Sequence, residues 1–249
     1  MDGIIFDVDG TLWDSTEAVA RSWNQAIDEN TDFSLSLTAD GLKSLFGKTM
    51  DEITLALFPS CPKEERDRIG YLCFDYENRL LETDHGVLYP DVARTLESLS
   101  QKIDLYIVSN CQCGYIEVFL KTMGLRKYIK DFLCFGQTQV PKNESIRLLM
   151  ERNHLQDVVY VGDTSGDFDA CQKADVPFIM LRMDLVIFQI HQDRLAQSGN
   201  FLLFLDCRFS LFMFLVQDYI AVFSIIQHLQ SLPPVVSFHT HDNIKKIRV

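Results

Sequence analysis

IIFDVDGTLWDS, residues 4 to 15, sets two aspartates, Asp7 and Asp9, where an apolar run stops and a Gly-Thr pair begins. The run before them, Gly3 to Phe6, shows no alternation of apolar and polar residues. A strand covered on both faces reads that way. Three later runs have the same character: Leu105 to Val108 (LYIV), Val158 to Val161 (VVYV) and Val176 to Leu181 (VPFIML). Between them lie helical patterns at Asp91 to Leu99 and Asn143 to Arg152, with apolar residues returning every three or four positions. Strands alternating with helices predict an α/β fold built on a parallel sheet.

Residues 16 to 84 break this rhythm, with helical patterns and no strand-like run. The clearest is Lys63 to Leu81, where Ile69, Leu72, Cys73, Tyr76 and Leu80 follow three-and-four spacing. Thr83 to Gly86 then reads as a polar linker. The expected organisation is a core of residues 1–15 and 85–249, with a helical module of residues 16–84 inserted after the first strand. No internal repeat is visible.

The composition is that of a soluble globular chain: 249 residues, 47% apolar and 23% charged. A net charge of -12 argues against binding nucleic acid or an anionic membrane surface. It does not forbid an anionic substrate where a local cation reverses the sign. Seven cysteines form no framework, and Cys111-x-Cys113 lacks the spacing of a zinc site. Reduced thiols, with no basic leader before the first strand, lead us to expect a cytoplasmic protein.

The residues that follow the strands carry the chemistry. The first ends in Asp7; the second in Ser109-Asn110; the third in Gly162-Asp163, followed by Thr164 and Asp167. In open α/β sheets the ligand crevice lies outside the carboxyl ends of the strands, so these groups are expected to converge. One aspartate after a strand is an ordinary cap or turn residue. The set is harder to explain so.

DVDGT at 7 to 11, Ser109 after a strand, Lys142 opening a helix and GDTSGD at 162 to 167 resemble the four motifs of the haloacid dehalogenase superfamily. The resemblance runs in order from residue 1 to about 182. It implies a Rossmann-like core with a small helical cap, which residues 16–84 would form. It also implies roles. Asp7 would be the nucleophile that forms an aspartyl-phosphate, and Asp9 the general acid and base. Gly10 and Thr11 would turn backbone amides toward phosphate oxygens. Asp7, the Asp9 carbonyl and Asp163 would hold Mg²⁺, with Asp167 supporting that shell. Ser109 would hydrogen-bond the phosphoryl group, with Asn110 nearby, and Lys142 would neutralise its charge and orient Asp7.

Among relatives, those that cleave carbon–halogen or phosphonate bonds lack an acid at the position of Asp9. Sugar phosphomutases keep it, but Thr11 after Gly10 favours phosphatases. The pattern looks most like phosphoglycolate phosphatases and similar enzymes acting on a small phosphorylated metabolite. The alternatives are a phosphomutase and an inactive binding protein. Gly47-Lys48-Thr49 imitates a phosphate-binding loop, yet Leu42 stands where that pattern needs glycine. Lys48 and Thr49 are instead expected to select the substrate from the cap.

Two departures stand out. In Lys173-Ala174-Asp175-Val176-Pro177, aspartate replaces the usual glycine of a turn, and aspartate tolerates left-handed backbone. Residues 185 to 216 are an atypical hydrophobic segment, before a stretch at Asp218 to Leu232 that resembles the family's closing strand and helix. Residues 201 to 226 are long enough to span a bilayer, but Asp206, Arg208 and Asp218 argue against insertion. The segment is expected to pack on the core or on a second copy, in a monomer or homodimer, and to supply no chemistry. His239 and His241 read as a surface tail.

Overall fold

The computed structural model describes residues 1–182 together with two strands, Leu185–Ile190 and Phe201–Leu205. The sheet is built from β1 (Gly3–Phe6), β4 (Asp104–Ser109), β5 (Asp131–Cys134), β6 (Val158–Gly162), β7 (Phe178–Arg182), β8 (Leu185–Ile190) and β9 (Phe201–Leu205). Their order is β5-β4-β1-β6-β7-β8-β9. The first five of these run parallel, and β8 and β9 continue the sheet antiparallel. An α/β architecture on a parallel sheet is therefore what the chain adopts.

Both faces of the sheet are covered at its centre, around β1, β4 and β6, which explains their unbroken apolar runs. Ile4, Phe6, Ile107 and Val161 point to one face, against α5 (Val92–Ser100) and α6 (Tyr115–Thr122). Ile5, Tyr106, Val108 and Tyr160 point to the other, against α8 (Lys142–Arg152) and α9 (Ser165–Ala174). Adjacent residues of one strand thus reach opposite cores.

Residues 16 to 81 form α1 (Thr16–Asn30), α2 (Ala39–Lys43), α3 (Met50–Leu57) and α4 (Lys63–Leu81). These helices close around their own cluster, in which Val19, Trp23, Ile27, Leu42, Ile53 and Ile69 are buried. Where the chain leaves and rejoins the sheet, β2 (Trp13–Asp14) pairs antiparallel with β3 (Val87–Leu88). This short ribbon brings the two ends of the helical module together. The linker expected at 83–86 stops at β3.

One strand boundary differs from the sequence reading. The strand read at Val176 begins at Phe178, after Pro177, because Asp175 and Val176 still close α9. Strand β5 was not anticipated, nor was the β2–β3 ribbon. The hydrophobic segment 185–216 contributes β8 and β9 as sheet extensions. Asp175 takes the left-handed conformation expected of it, with φ 60°. Its carboxylate side chain replaces glycine in a turn that both tolerate. The stretch 218–232, the histidines at 239 and 241, and all but the β9 part of 201–226 lie outside the described residues. Among the described residues, no helix is long and apolar enough to cross a membrane.

Candidate active site

Strand β1 lies between β4 and β6 in matched register, Phe6 opposite both Ile107 and Val161. Asp7, one residue beyond β1, donates its backbone N–H to the Val161 carbonyl at 2.9 Å. Asp163 follows β6 directly, and Ser109 closes β4. Three separate parts of the sequence therefore meet at one edge of the sheet. The next residue, Val8, is fully buried in the core, while Asp9 returns to the site.

Asp7 is 1% exposed. Lys142, the first residue of α8, places Nζ 3.1 Å from Asp7 Oδ1 and 2.5 Å from Asp167 Oδ1. Burial disfavours the ammonium, but Asp167 and Asp7 beside it outweigh burial and raise its pKa above the ordinary lysine value. The two carboxylates therefore favour the charged form of the lysine. For Asp7, burial wins over the attraction of Lys142 and pushes the carboxyl up to about 8. Burial likewise carries Asp163 up to about 7, with Asp167 adding repulsion.

Asp167 is held at both oxygens. Lys142 takes Oδ1, while the Thr164 backbone N–H and hydroxyl donate to Oδ2 at 3.1 and 2.6 Å. In return the Asp167 N–H donates to the Thr164 hydroxyl, a reciprocal cap on α9. Asp7, Asp163 and Asp167 each offer a carboxylate oxygen within 4.8 Å of the others. Such crowding with a single lysine suits a hard divalent cation, which would favour the ionised forms that burial opposes. Asp9 does not join this cluster through its side chain.

Asp9 serves another network. Its Oδ1 accepts from Trp13 Nε1 at 3.2 Å, the Ser15 hydroxyl at 3.0 Å and the Tyr115 hydroxyl at 2.5 Å. Burial raises its pKa, and these three donors hold the rise in check. A poised carboxyl at hydrogen-bonding reach of a reacting oxygen is what proton transfer needs.

Gly10 has φ 75°, and a Cβ there would lie 2.1 Å from Asp163 Oδ2. Only glycine fits the turn and the close approach of that carboxylate. The amides of Gly10 and Thr11 were expected to face phosphate. Instead they donate to the carbonyls of Trp13 and Val8, because the turn closes on itself. The Thr11 hydroxyl donates to Asp163 Oδ1 at 3.2 Å, so Thr11 positions that carboxylate.

Two residues expected to meet the substrate, Asn110 and Thr49, make bonds within the protein, and Asn110 also lines the cavity beside Asp7 and Ser109. The Asn110 side chain donates to the Gly47 carbonyl at 2.8 Å, tying the loop after β4 to the loop before α3. Thr49 donates from backbone and hydroxyl to Glu52, capping α3, because a free helix start satisfies its donors locally. Lys48 is exposed and borders a cavity of about 50 Å³ that Asp7, Asp9 and Ser109 also line. Sequence reasoning missed Tyr115 and Glu77, which line this cavity too. Glu77 had a signal: it falls four residues after buried Cys73 and four before buried Leu81.

Residues 4–181 match the family described as haloacid dehalogenase-like hydrolase. Phosphoglycolate phosphatase of Vibrio vulnificus strain YJ016 is 29% identical over 184 residues, covering 69% of this chain and 79% of that one. The enzyme of the same name from Shigella boydii serotype 4 is 26% identical over 202 residues, covering 72% and 80%. The solved haloacid dehalogenase-like family protein SP0104 of Streptococcus pneumoniae superposes with a TM-score of 0.61 at 17% identity, over 73% of this chain and 85% of that one. This last likeness concerns the fold.

Proposed function

The chain belongs to the haloacid dehalogenase-like hydrolase family, and we propose that it is a phosphatase that hydrolyses a small phosphate monoester through an aspartyl-phosphate on Asp7. The observation that carries this reading is Lys142, buried between Asp7 and Asp167 beside Asp163. Its fixed positive charge favours both an ionised nucleophile and an approaching phosphate.

The residues divide the work. An oxygen of Asp7 attacks phosphorus, the ester P–O bond breaks, and Asp9 gives a proton to the departing alcohol oxygen. Water then attacks the same phosphorus, its proton passes to Asp9, and the bond to Asp7 breaks to release phosphate. Lys142 keeps Asp7 oriented, and Ser109, which lines the same cavity at the end of β4, would hydrogen-bond the phosphoryl oxygens. Mg²⁺ would be held by Asp7 and Asp163 together with the Asp9 carbonyl, and would supply charge neutralisation between two anionic reactants. Asp167 would steady that set through Lys142 and Thr164.

We read helices α1–α4 as a cap over these groups. The Asn110–Gly47 bond and the small cavity under the helices support a closed position that keeps bulk water from the transfer. The apolar side chains under the helices suit a small substrate.

Purified protein should release phosphate from p-nitrophenyl phosphate with Mg²⁺ and lose that activity in EDTA. Asp163→Ala should raise the Mg²⁺ concentration needed for half activity by at least about tenfold, as loss of a ligand does. Full turnover in exhaustive EDTA would contradict the metal assignment. No turnover of any phosphate ester would contradict the phosphatase reading.

A further inference from the structure

The cavity beneath the helical module joins two kinds of wall. Asp7, Asp9 and Ser109 form its chemical end, while Trp23, Phe46 and Phe74 give it an apolar, aromatic side. One charged side chain interrupts the apolar side. Glu77, on α4, lines the cavity and is 4% exposed. A carboxyl so placed is costly unless polar groups hold it. Trp23 Nε1 donates to its Oε2 at 2.5 Å, and the Gln112 side chain bonds to it as well. Gln112 also donates to Asn78 Oδ1 at 3.2 Å, and Asn78 donates to the Cys113 carbonyl at 2.9 Å. The carboxyl is therefore fixed from α1, from α4 and from the loop after β4. The neighbouring charge that acts on it is another acid, Asp9. The phosphoryl chemistry does not use it.

We propose that Glu77 reads the alcohol half of the ester by hydrogen-bonding a hydroxyl on it, so that the substrates are small polyol or sugar phosphates and not carboxylate-bearing esters such as phosphoglycolate. This rests on the phosphatase reading and sharpens it. A hydroxyl both donates and accepts, so it pairs with a carboxyl in either protonation state. A carboxylate only accepts, and the side-chain donors around this space are already given, Trp23 and Gln112 to Glu77 and Tyr115 to Asp9. Lys48 borders the same cavity, but its ammonium is exposed and its attraction is weakened by solvent. The aromatic side covers the carbon skeleton.

The test compares kcat/KM for three probes, glycerol 3-phosphate, 2-phosphoglycolate and p-nitrophenyl phosphate, in the wild-type chain and in Glu77→Gln and Glu77→Ala. The wild type should prefer glycerol 3-phosphate to 2-phosphoglycolate by roughly tenfold or more, the discrimination a single buried polar group can give. Glu77→Gln keeps shape and hydrogen bonding but removes the acid, so that ratio should fall by roughly tenfold. Glu77→Ala should lose glycerol 3-phosphate turnover more than aryl phosphate turnover. A wild type that prefers 2-phosphoglycolate overturns the proposal. So does one that cleaves the aryl ester and neither aliphatic ester, and so do variants that lower all three substrates in parallel. These outcomes leave the phosphatase reading standing. Failure to cleave even the aryl ester overturns both. Glu77→Gln keeps the decision available should Glu77→Ala fail to fold.

Discussion

The Tyr115 hydroxyl donates to Asp9 Oδ1 at 2.5 Å, joining the first residue of α6 to the loop after β1 across 106 positions of sequence. It shares Oδ1 with Ser15 and Trp13, so all three side-chain donors to Asp9 meet the same oxygen. In the proposed mechanism these donors would set both where the proton is delivered and how readily it leaves. Each lowers the Asp9 pKa against the push of burial.

Tyr115→Phe should therefore keep the fold and lower kcat by roughly tenfold, the scale of weakened general acid–base catalysis. Losing a donor that favours the ionised form raises the Asp9 pKa. In the proposed mechanism Asp9 acts first as an acid, so the basic limb of the kcat profile should move to higher pH. An unmoved profile with full activity would remove Tyr115 from the mechanism.

Lys142→Met leaves Asp7 and Asp167 buried without their shared cation. Breaking one partner of a buried ion pair costs about 3–5 kcal/mol. Urea unfolding in EDTA should show a loss of that size, and Mg²⁺ should restore part of it by supplying positive charge. A loss below about 1 kcal/mol would mean the carboxyls simply take up protons instead.

Glu77 makes a prediction about stability that is independent of turnover. Burial raises its carboxyl from the ordinary 4.5 to about 8, against the donors Gln112 and Trp23. Between those values the folded chain keeps a proton that the unfolded chain has released. Stability should then fall as pH rises through this window, by at most about 1.4 kcal/mol per unit. Glu77→Gln should remove its share of that fall, seen as a flatter melting temperature from pH 5 to pH 8 in EDTA. Parallel wild-type and variant curves would show that Glu77 ionises freely.

Much of the frame was legible in sequence because burial dictates it. Gly3–Phe6 and Lys63–Leu81 were read with the boundaries they have, one from an apolar run and one from helical spacing. Strand β5 was not, since DFLC is four residues long, begins with an acid and forms the edge of the sheet. The β2–β3 ribbon has two residues per strand, too few for any periodicity. In the site, the motif aspartates, Ser109 and Lys142 do converge on the strand ends. What sequence could not give is pairing at a distance, such as the bond from Asn110 to the Gly47 carbonyl 63 positions away. The Thr49–Glu52 cap, three residues apart, was legible but was not read. Glu77 was passed over because a glutamate on a helix is ordinarily solvated, although its place on the Cys73–Leu81 stripe marked it.

The central claim is that Asp7 becomes covalently phosphorylated. Rapid acid quenching during turnover of p-nitrophenyl phosphate with Mg²⁺, followed by peptide mass spectrometry, tests it directly. The account predicts one phosphoryl group on the peptide carrying Asp7, absent in Asp7→Asn, which should also release no phosphate while unfolding at the wild-type temperature. Steady release of phosphate by Asp7→Asn, or a phosphoryl group trapped on any other residue, would contradict it.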